Sequence, residues 1–214
     1  MPHFTAADLG QLEKVYRLNL VNAITGFKPA NLLGTADGAG RTNLAIISSV
    51  VHLGSNPALL GLVMRPPSVE RHSYDNLRAT GHYTLNHVNT AIARAAHLTS
   101  ANFPREVAEF EATGLTPEYH DDFPAPYVQE SHLQIGLTLL QELPIEANGT
   151  VLVIGRVEHL YLPDEPGVLR ADGSLDLTAA GTVALSGLDT YYETHPVARY
   201  GYARPGQKLE ELPL

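Results

Sequence analysis

Extended segments that follow one another with only short turns between them constrain the fold of this chain most. Residues 131–143 and 150–162 are both β-type segments, and the turn Glu146-Ala147-Asn148-Gly149 separates them. An Asn-Gly pair between two such segments is typical of a β-hairpin. A strand that follows a strand directly indicates antiparallel pairing, because parallel neighbours need a long crossover that is usually a helix. We therefore expect a mainly β fold.

The rest of the chain supplies further strands and a few short helices. Extended structure is predicted at residues 21–35, 43–52, 59–64 and 82–88. Helices are predicted from Thr5, at 73–81 between a Ser73 cap and Gly81, at 90–98 and at 105–113. About six strands with short helical insertions, without βαβ alternation, indicate an antiparallel barrel or sandwich.

Composition and charge narrow the function and the compartment. The chain has no cysteine, which excludes disulfides, thiol nucleophiles and iron–sulfur ligation. The 14 Lys and Arg residues against 23 Asp and Glu residues give a net charge of −9, which opposes nucleic-acid binding. Asp8, Glu13, Lys14 and Arg17 interrupt any signal-peptide core, and no apolar run is long enough to span a membrane. We expect a cytoplasmic protein without membrane or nucleic-acid partners.

Several familiar catalytic motifs are absent from the sequence. The glycine-rich turn from Gly34 to Gly40 lacks the spacing and the lysine of a phosphate loop, and a strand rather than a helix is predicted after it. The sequence holds no G-x-G-x-x-G, G-x-S-x-G or H-E-x-x-H motif. His120-Asp121-Asp122 is a possible cation-binding run, although such runs are more often solvated loops. We predict no metal site.

One block of the chain, residues 41–89, combines features of a ligand site. Asn43, Ser48 and Ser49 place small polar groups in an otherwise apolar strand, which is typical of sites for flat aromatic ligands. Cations then gather just before the predicted helix at Ser73, namely Arg65, Arg71 and His72. Cations beside a helix N-terminus suit a phosphate group. The alternative is that these are solvated loop charges and that Ser73 is only a cap.

The order of short motifs in this block matches a known family. The pieces are Thr42-Asn43-Leu44-Ala45, Ser48-Ser49, Asn56-Pro57-Ala58-Leu59-Leu60, Arg71-His72-Ser73-Tyr74-Asp75-Asn76-Leu77 and Gly81-His82-Tyr83-Thr84-Leu85-Asn86. Together they resemble the flavin reductase-like proteins of the FMN-binding split-barrel superfamily. Residues 24–31, 109–117 and 187–192 fit the same pattern before and after the block.

The resemblance implies a six-stranded antiparallel split barrel that dimerises, with FMN in a groove at the dimer interface. It implies one domain over 1–214, with an N-terminal extension (1–20), a helical insertion (90–130) and a closing segment (163–214). The implied cofactor-binding residues fall into two sets. Asn43, Ser48 and Ser49 would line the flavin ring and ribityl chain, and Arg65, Arg71, His72, Ser73 and Asn76 would surround the phosphate. Lys28 is a candidate for the pyrimidine edge of the flavin, with a solvated lysine as the alternative.

The reaction implied by the resemblance is hydride transfer from NADH or NADPH to N5 of FMN, followed by electron transfer to a small-molecule redox acceptor. Because the chemistry belongs to the cofactor, no catalytic side chain is required. His52 and His82 are the candidates for proton relay. The alternatives are an FMN-holding electron carrier or sensor without efficient NAD(P)H turnover, a flavoprotein acting on a pyridoxamine-type amine or another organic substrate, and a histidine-based metal hydrolase.

Overall fold

A computed structural model describes residues 1–66 and 71–214 of the chain. Its helices are α1 (Ala6–Gln11), α2 (Lys14–Ala23), α3 (His72–Thr80), α4 (Ala93–Leu98) and α5 (Glu109–Thr113). Its first seven strands are β1 (Lys28–Pro29), β2 (Asn31–Ala36), β3 (Thr42–Ile47), β4 (Val50–Ser55), β5 (Ala58–Met64), β6 (His82–His87) and β7 (Pro117–Glu118). The others are β8 (Tyr127–Val128), β9 (Gln134–Ile145), β10 (Thr150–Tyr161), β11 (Val183–Ser186), β12 (Thr190–Glu193), β13 (Arg199–Tyr200) and β14 (Glu211–Leu212).

The main sheet has the strand order β3-β2-β6-β9-β10-β5-β4, and every neighbouring pair is antiparallel. Its two edge strands, β3 and β4, are consecutive in the chain and are joined by Ser48-Ser49. The sheet therefore curls until its edges meet at the two serines. Buried apolar side chains pack against one another on its concave face, among them Leu62, Tyr83 and Leu137. The expected mainly β, antiparallel fold with short helices is confirmed.

The extended segment predicted at 43–52 is two strands rather than one. Ser49 turns the chain at a corner between them. The Ser49 hydroxyl donates to the carbonyl of Val63 at 2.9 Å and accepts from the N–H of Val63 at 3.2 Å. One side chain thus replaces the backbone pairing that a straight strand would make. Because of this corner the main sheet has seven strands instead of the expected six.

The predicted hairpin is confirmed as β9 and β10, which pair along their whole length with two irregularities. Two glycines in these strands make room for buried tyrosines. A Cβ at Gly155 would collide with the hydroxyl of Tyr83, and a Cβ at Gly136 would collide with the hydroxyl of Tyr127. Glycine is required at both positions because a ring from another segment lies against the backbone.

The N-terminal region differs from the prediction. Thr5 and Asp8 form the expected capping box at the start of α1. Residues 21–23, predicted as extended, complete α2 instead. The carboxylate of Glu13 accepts from the N–H groups of Val15 and Tyr16, so a local cap starts this helix. No residue of α1 or α2 is buried, so the apolar side chains of α2, among them Val15, Leu18 and Val21, are exposed.

The remaining helices are confirmed in position but differ in their bounds. α3 begins at His72 with Arg71 at its N-cap, so Ser73 lies inside the helix and is not its cap. Gly81 ends α3 in the left-handed region at φ 73°, as predicted. α4 and α5 each start later than expected, since the chain forms turns instead of helix at 90–92 and has no helix at 105–108.

Residues 90–130 close the free edge of β3. The Thr99 hydroxyl accepts from the N–H of Ile46 at 2.8 Å, and the Glu109 carboxylate accepts from the N–H of Leu44 at 3.3 Å. These two N–H groups face away from β2 and would otherwise lack partners. A second apolar core forms here, and it includes Leu32, Leu44 and Phe110.

Three small sheets complete the structure: β1-β11-β12, β7-β8 and β13-β14. The first of them places Leu185 and Tyr191 against the second core. Within the described ranges, no helix combines the length and the apolar character needed to cross a membrane.

Candidate functional site

A polar cleft lies where the first turn of α3 meets β3 and the chain before α5. All of its lining residues except one carry polar or charged side chains. They are Asp37, Arg41, Thr42, Asn43, His72, Asn76, Arg105, Val107 and Glu109. Three of the predicted cofactor-binding residues, Asn43, His72 and Asn76, therefore share one cleft.

Buried hydrogen bonds fix the floor of this cleft. The Ser73 hydroxyl donates to Oδ1 of Asn43 at 3.0 Å, which ties α3 to β3. Nδ2 of Asn76 donates to Oγ1 of Thr35 at 3.3 Å, which ties the next turn of α3 to β2. All four side chains are buried. The start of α3 is therefore held in a fixed place against the sheet.

Two side-chain polar atoms are buried at the start of this helix. Oδ1 of Asn76 and Nε of Arg71 are buried without a hydrogen-bond partner in the described part of the chain. Asn76 is only 4% exposed. Buried polar atoms are normally paired, so an unpaired acceptor and an unpaired donor indicate a place where a ligand supplies the partners. The residues fit a ligand that carries both hydroxyl groups and an anion, such as the ribityl phosphate of FMN.

Asp37 organises the charges at one side of the cleft. Its carboxylate accepts from the N–H groups of Ala39 and Arg41, both at 2.9 Å, and from Nε of Arg41 at 2.7 Å. Nη2 of Arg105 lies 3.9 Å from the same carboxylate. Hydrogen bonds from the Arg41 backbone and then from its guanidinium hold the pKa of Asp37 below its ordinary value. Asp37 is therefore ionised at neutral pH and holds both arginines.

Lys28 and Arg65 lie near each other but do not line this cleft. Nζ of Lys28 donates to the carbonyl of Asn22 at 3.1 Å and to the carbonyl of Gly187 at 2.6 Å. Burial lowers the pKa of Lys28, and the nearby positive charge of Arg65 lowers it further. Lys28 is thus a partly desolvated cation anchored between the end of α2 and the turn that joins β11 to β12. Arg65 is exposed.

Ser48 and Ser49 occupy the corner between β3 and β4. Both are half-buried, and the hydroxyl of Ser49 is engaged by the backbone of Val63 on both sides. These bonds shape the corner, so the contribution of Ser49 to a ligand would come from its backbone and not from its hydroxyl.

The two candidate relay histidines lie outside the cleft. His52 is exposed on the edge strand β4. His82 packs edge-on against Phe123 at 5.5 Å between ring centroids, and its Nδ1 lies 3.4 Å from Oγ1 of Thr138. The second histidine of β6, His87, is buried, and burial lowers its pKa to about 4.

His120 and Asp121, which looked like a cation-binding run, point to protein partners instead. Nε2 of His120 lies 3.0 Å from Oε1 of Gln134 and 3.2 Å from Oε2 of Glu118. Asp121 accepts a hydrogen bond from the Tyr161 hydroxyl at 2.6 Å. Within residues 1–66 and 71–214, no group of His, Cys, Asp and Glu side chains has an arrangement that would hold a metal ion.

Comparison with known proteins agrees with the antiparallel fold described above. The family model of the flavin reductase like domain matches residues 26–175. The chain belongs to this family. A solved split-barrel structure from Shewanella frigidimarina NCIMB 400, assigned as a flavin reductase, is 47% identical with a TM-score of 0.91, over 95% of this chain and 100% of that chain. The resemblance inferred from the residues is therefore confirmed.

More distant members of the same fold have lower identities. Nitrilotriacetate monooxygenase component B from Bacillus cereus is 18% identical with a TM-score of 0.78, over 92% of this chain and 96% of its own. Flavoredoxin from Desulfovibrio vulgaris (Miyazaki F) is 22% identical with a TM-score of 0.69, over 85% of this chain and 92% of its own. Both show that the split-barrel fold is shared.

Four charged residues of this flavin reductase-like chain were not expected at the site: Asp37, Arg41, Arg105 and Glu109. Glu109 and Arg105 lie in the helical insertion, more than sixty positions from the β2–β3 turn that supplies the other two. Sequence offered one clue to them, the four-residue spacing of Asp37 and Arg41 around a glycine-rich turn. The turn brings Asp37 and Arg41 to the cleft beside α3.

Proposed function

We propose that this chain is an FMN-binding oxidoreductase that oxidises NADH or NADPH and passes the electrons to flavin. The observation that carries the proposal is that Oδ1 of Asn76 and Nε of Arg71, both buried at the start of α3, have no hydrogen-bond partner among the described residues. Membership of the flavin reductase like family makes FMN the ligand that best suits these two atoms. The relatives named as flavoredoxins and FMN-binding proteins support the same cofactor.

Different residues of this chain would contact different parts of FMN. Arg71, His72, Ser73 and Asn76 would bind the ribityl phosphate, because they lie at the N-terminus of α3, and Asn43, which accepts from Ser73, would lie beside the ribityl chain. The corner at Ser48 and Ser49 would lie along the ring. Bound FMN supplies the hydride-accepting chemistry, and the protein binds and orients it.

Lys28 has the properties of a residue that tunes flavin chemistry. Its ammonium group is anchored by two carbonyls and is partly desolvated. A fixed cation near the pyrimidine edge would stabilise negative charge on that part of the ring. Arg65 adds to the positive potential at the same place.

The nicotinamide of NADH or NADPH would bind in the open groove, since the sequence has no dinucleotide fingerprint. Tyr191 and Tyr192 of β12 are placed to offer a stacking surface. The Tyr191 hydroxyl lies 3.2 Å from Nδ1 of His97, which fixes its ring, and Tyr192 packs against Phe27 at 4.9 Å between centroids.

A second copy of the chain is the partner that we propose. Val51 and Leu53 are 45% and 43% exposed on β4, and Leu143 is 40% exposed on β9. These side chains are continuous across the convex face of the sheet, because a Cβ at Gly61 would touch Val51, Leu53 and Leu152, and Leu152 pairs with Leu143. A contiguous apolar sheet face of this kind indicates a protein interface. Sedimentation of the wild type as a dimer and of Val51→Glu as a monomer would support the assignment, and a monomeric wild type would contradict it.

Steady-state oxidation of NADH and NADPH with FMN present tests the reaction. The proposal predicts turnover with at least one nucleotide and none when FMN is omitted from the cofactor-free protein. A protein that binds FMN but consumes neither nucleotide would be an electron carrier or sensor. A protein that carries a stoichiometric transition metal and no flavin would contradict the proposal outright.

A further inference from the structure

Two apolar surfaces of this chain are left uncovered by the chain itself, one on a helix and one on the main sheet. The helix is α2, and the sheet surface is the convex face around Val51, Leu53 and Leu143. We propose that α2 of one copy packs on the convex face of a second copy, and that the second copy makes the same contact in return. We call this the helix–sheet contact. It rests on the proposed function for the second copy, and it names the elements that join the two.

α2 is an apolar helix that buries none of its ten residues. Val15, Leu18 and Val21 recur every third residue and are 60%, 43% and 43% exposed. Residues three apart are neighbours on a helix surface, so these side chains form one apolar stripe. Tyr16 and Ile24 are exposed as well. A helix of this length is marginal in water unless it packs against something, so the stripe needs a partner.

The convex face of the sheet has properties that match this helix. The strands β4 and β5, which supply part of it, contain no Asp, Glu, Lys or Arg. An apolar sheet face is buried against another element, and a helix on a sheet is one of the standard arrangements. Within one copy α2 does not cover this face, because the apolar side chains of both are exposed. The helix of each copy therefore fits the sheet of the other.

Charge favours a second copy over other occupants. The net charge is −9, so two copies repel each other at long range. Residues 1–27 carry two acidic and two basic side chains and are neutral overall. The helix and the convex face are therefore places where two copies meet without like-charge repulsion. An anionic membrane would require a more basic helix than α2.

The helix–sheet contact gives each copy two contact patches instead of one. A two-fold axis relates the copies, so each contributes one helix and one sheet face. Both patches then count toward the roughly 800 Å² that each partner buries in a stable protein dimer.

The same contact reaches the proposed flavin site through Lys28. The carbonyl of Asn22, in α2, accepts a hydrogen bond from Nζ of Lys28 at 3.1 Å. A partner copy that holds α2 therefore also holds one of the two carbonyls that anchor this ammonium group.

Cross-linking of introduced cysteines tests the contact, because the chain has no thiol of its own. One copy carries Leu18→Cys and the other Leu53→Cys, and the two are co-expressed with different affinity tags and purified through both tags. A bismaleimide that spans about 10 Å, the usual spacing of packed layers, is then added. We expect cross-links between the two kinds of copy. Glu165→Cys in place of Leu53→Cys is the control, because Glu165 is an exposed loop residue, and it should give none.

Other cross-linking patterns would overturn the proposal. Cross-links only between two Leu18→Cys copies would show that the helices pack on each other. Cross-links only between two Leu53→Cys copies would show that the sheets do. A cross-link within one chain that carries both substitutions, in an excess of wild-type chains, would show that α2 covers the face of its own copy.

A substitution on the sheet should also change the helix of the partner. Val51→Glu should speed amide hydrogen exchange in α2 by at least about 10-fold, because the helix loses its packing. Leu18→Glu should do the same and should produce monomers. Lys14→Glu is the matched control, because it adds negative charge at an exposed polar position of the same helix, and it should leave both properties unchanged. Unchanged exchange in α2 of a monomeric Val51→Glu variant would overturn the proposal.

All of these measurements use protein without FMN, so their results do not depend on flavin binding. If the wild type is a dimer with the expected cross-links but binds no flavin, the proposed reaction fails and the helix–sheet contact stands. If the wild type binds FMN and oxidises NADH or NADPH as a monomer, the helix–sheet contact fails and the proposed reaction stands.

Discussion

The Ser73 hydroxyl donates a hydrogen bond of 3.0 Å to Oδ1 of Asn43, although thirty positions separate the two residues in the chain. Both side chains are buried, at 7% exposure each. The bond joins the first turn of α3 to the edge strand β3. It therefore fixes the N-terminus of α3 relative to the cleft, where we propose that the phosphate of FMN binds.

Ser73→Ala should destabilise the protein and weaken FMN binding. The substitution leaves Oδ1 of Asn43 buried without its donor, and an unsatisfied buried polar group costs about 1–3 kcal/mol. Urea unfolding measures the first effect and flavin fluorescence the second. Ser73→Thr is the matched control, because it keeps a hydroxyl at the same place. An alanine variant as stable and as tight-binding as the wild type would contradict this role.

Much of this site follows from local sequence, and the rest depends on contacts between distant segments. Asn43, His72 and Asn76 were predicted as site residues, and they line one cleft. Arg105 and Glu109 could not be predicted, because only the folded insertion brings them to β3. The corner at Ser49 was missed for the same reason, since a β-branched run gives no sign that its serine will bind Val63.

α2 was not predicted, although the signal at its start is local. Its cap at Glu13 is local, but the helix buries no side chain, and its apolar residues Val15, Leu18 and Val21 stay exposed. The hairpin of β9 and β10 could be predicted from its local sequence alone. Its turn chemistry and its two long β-type segments agree, and the structure confirms both.

Thr99→Val should destabilise the edge of the barrel. The Thr99 hydroxyl accepts from the N–H of Ile46 at 2.8 Å, and valine keeps the shape while removing the acceptor. We expect a loss of about 1–3 kcal/mol in the free energy of unfolding. Hydrogen exchange at Ile46 should also become faster. Thr99→Ser should preserve both values, and a valine variant with unchanged exchange would contradict the assignment.

Tyr83→Phe and Tyr74→Phe should have opposite effects. The Tyr83 hydroxyl is buried and has no hydrogen-bond partner among residues 1–66 and 71–214. Its removal should leave the free energy of unfolding unchanged or raise it by up to about 1 kcal/mol. The Tyr74 hydroxyl donates to Glu142 at 2.5 Å, and its loss should cost about 1–2 kcal/mol. Calorimetry on both variants measures these changes. A Tyr83→Phe variant that loses more stability than Tyr74→Phe would contradict this structure.

Stability should fall as the pH drops from about 6.5 to about 4, and His87 should account for part of that fall. Burial lowers the pKa of His87 from 6.5 to about 4. Between these values the unfolded chain binds a proton that the folded chain does not, so protonation favours unfolding. The contribution is fully present above pH 6.5 and amounts to at most about 3 kcal/mol.

Urea unfolding at several pH values tests this effect. His87→Gln should have a smaller pH dependence than the wild type across that interval, whatever its stability at neutral pH. A His52→Gln variant is the control, because His52 is exposed. Equal slopes for the wild type and His87→Gln would show that His87 titrates normally.

The flavin content of the purified protein tests the central claim most directly. The absorbance spectrum of the protein, and the flavin released from it on denaturation, should show FMN bound at about one per chain, or should do so after reconstitution of the cofactor-free protein with FMN. We predict a yellow protein whose flavin is lost more readily when Asn76, whose buried oxygen has no partner in residues 1–66 and 71–214, is replaced by leucine. A colourless protein that cannot be reconstituted with FMN would contradict it.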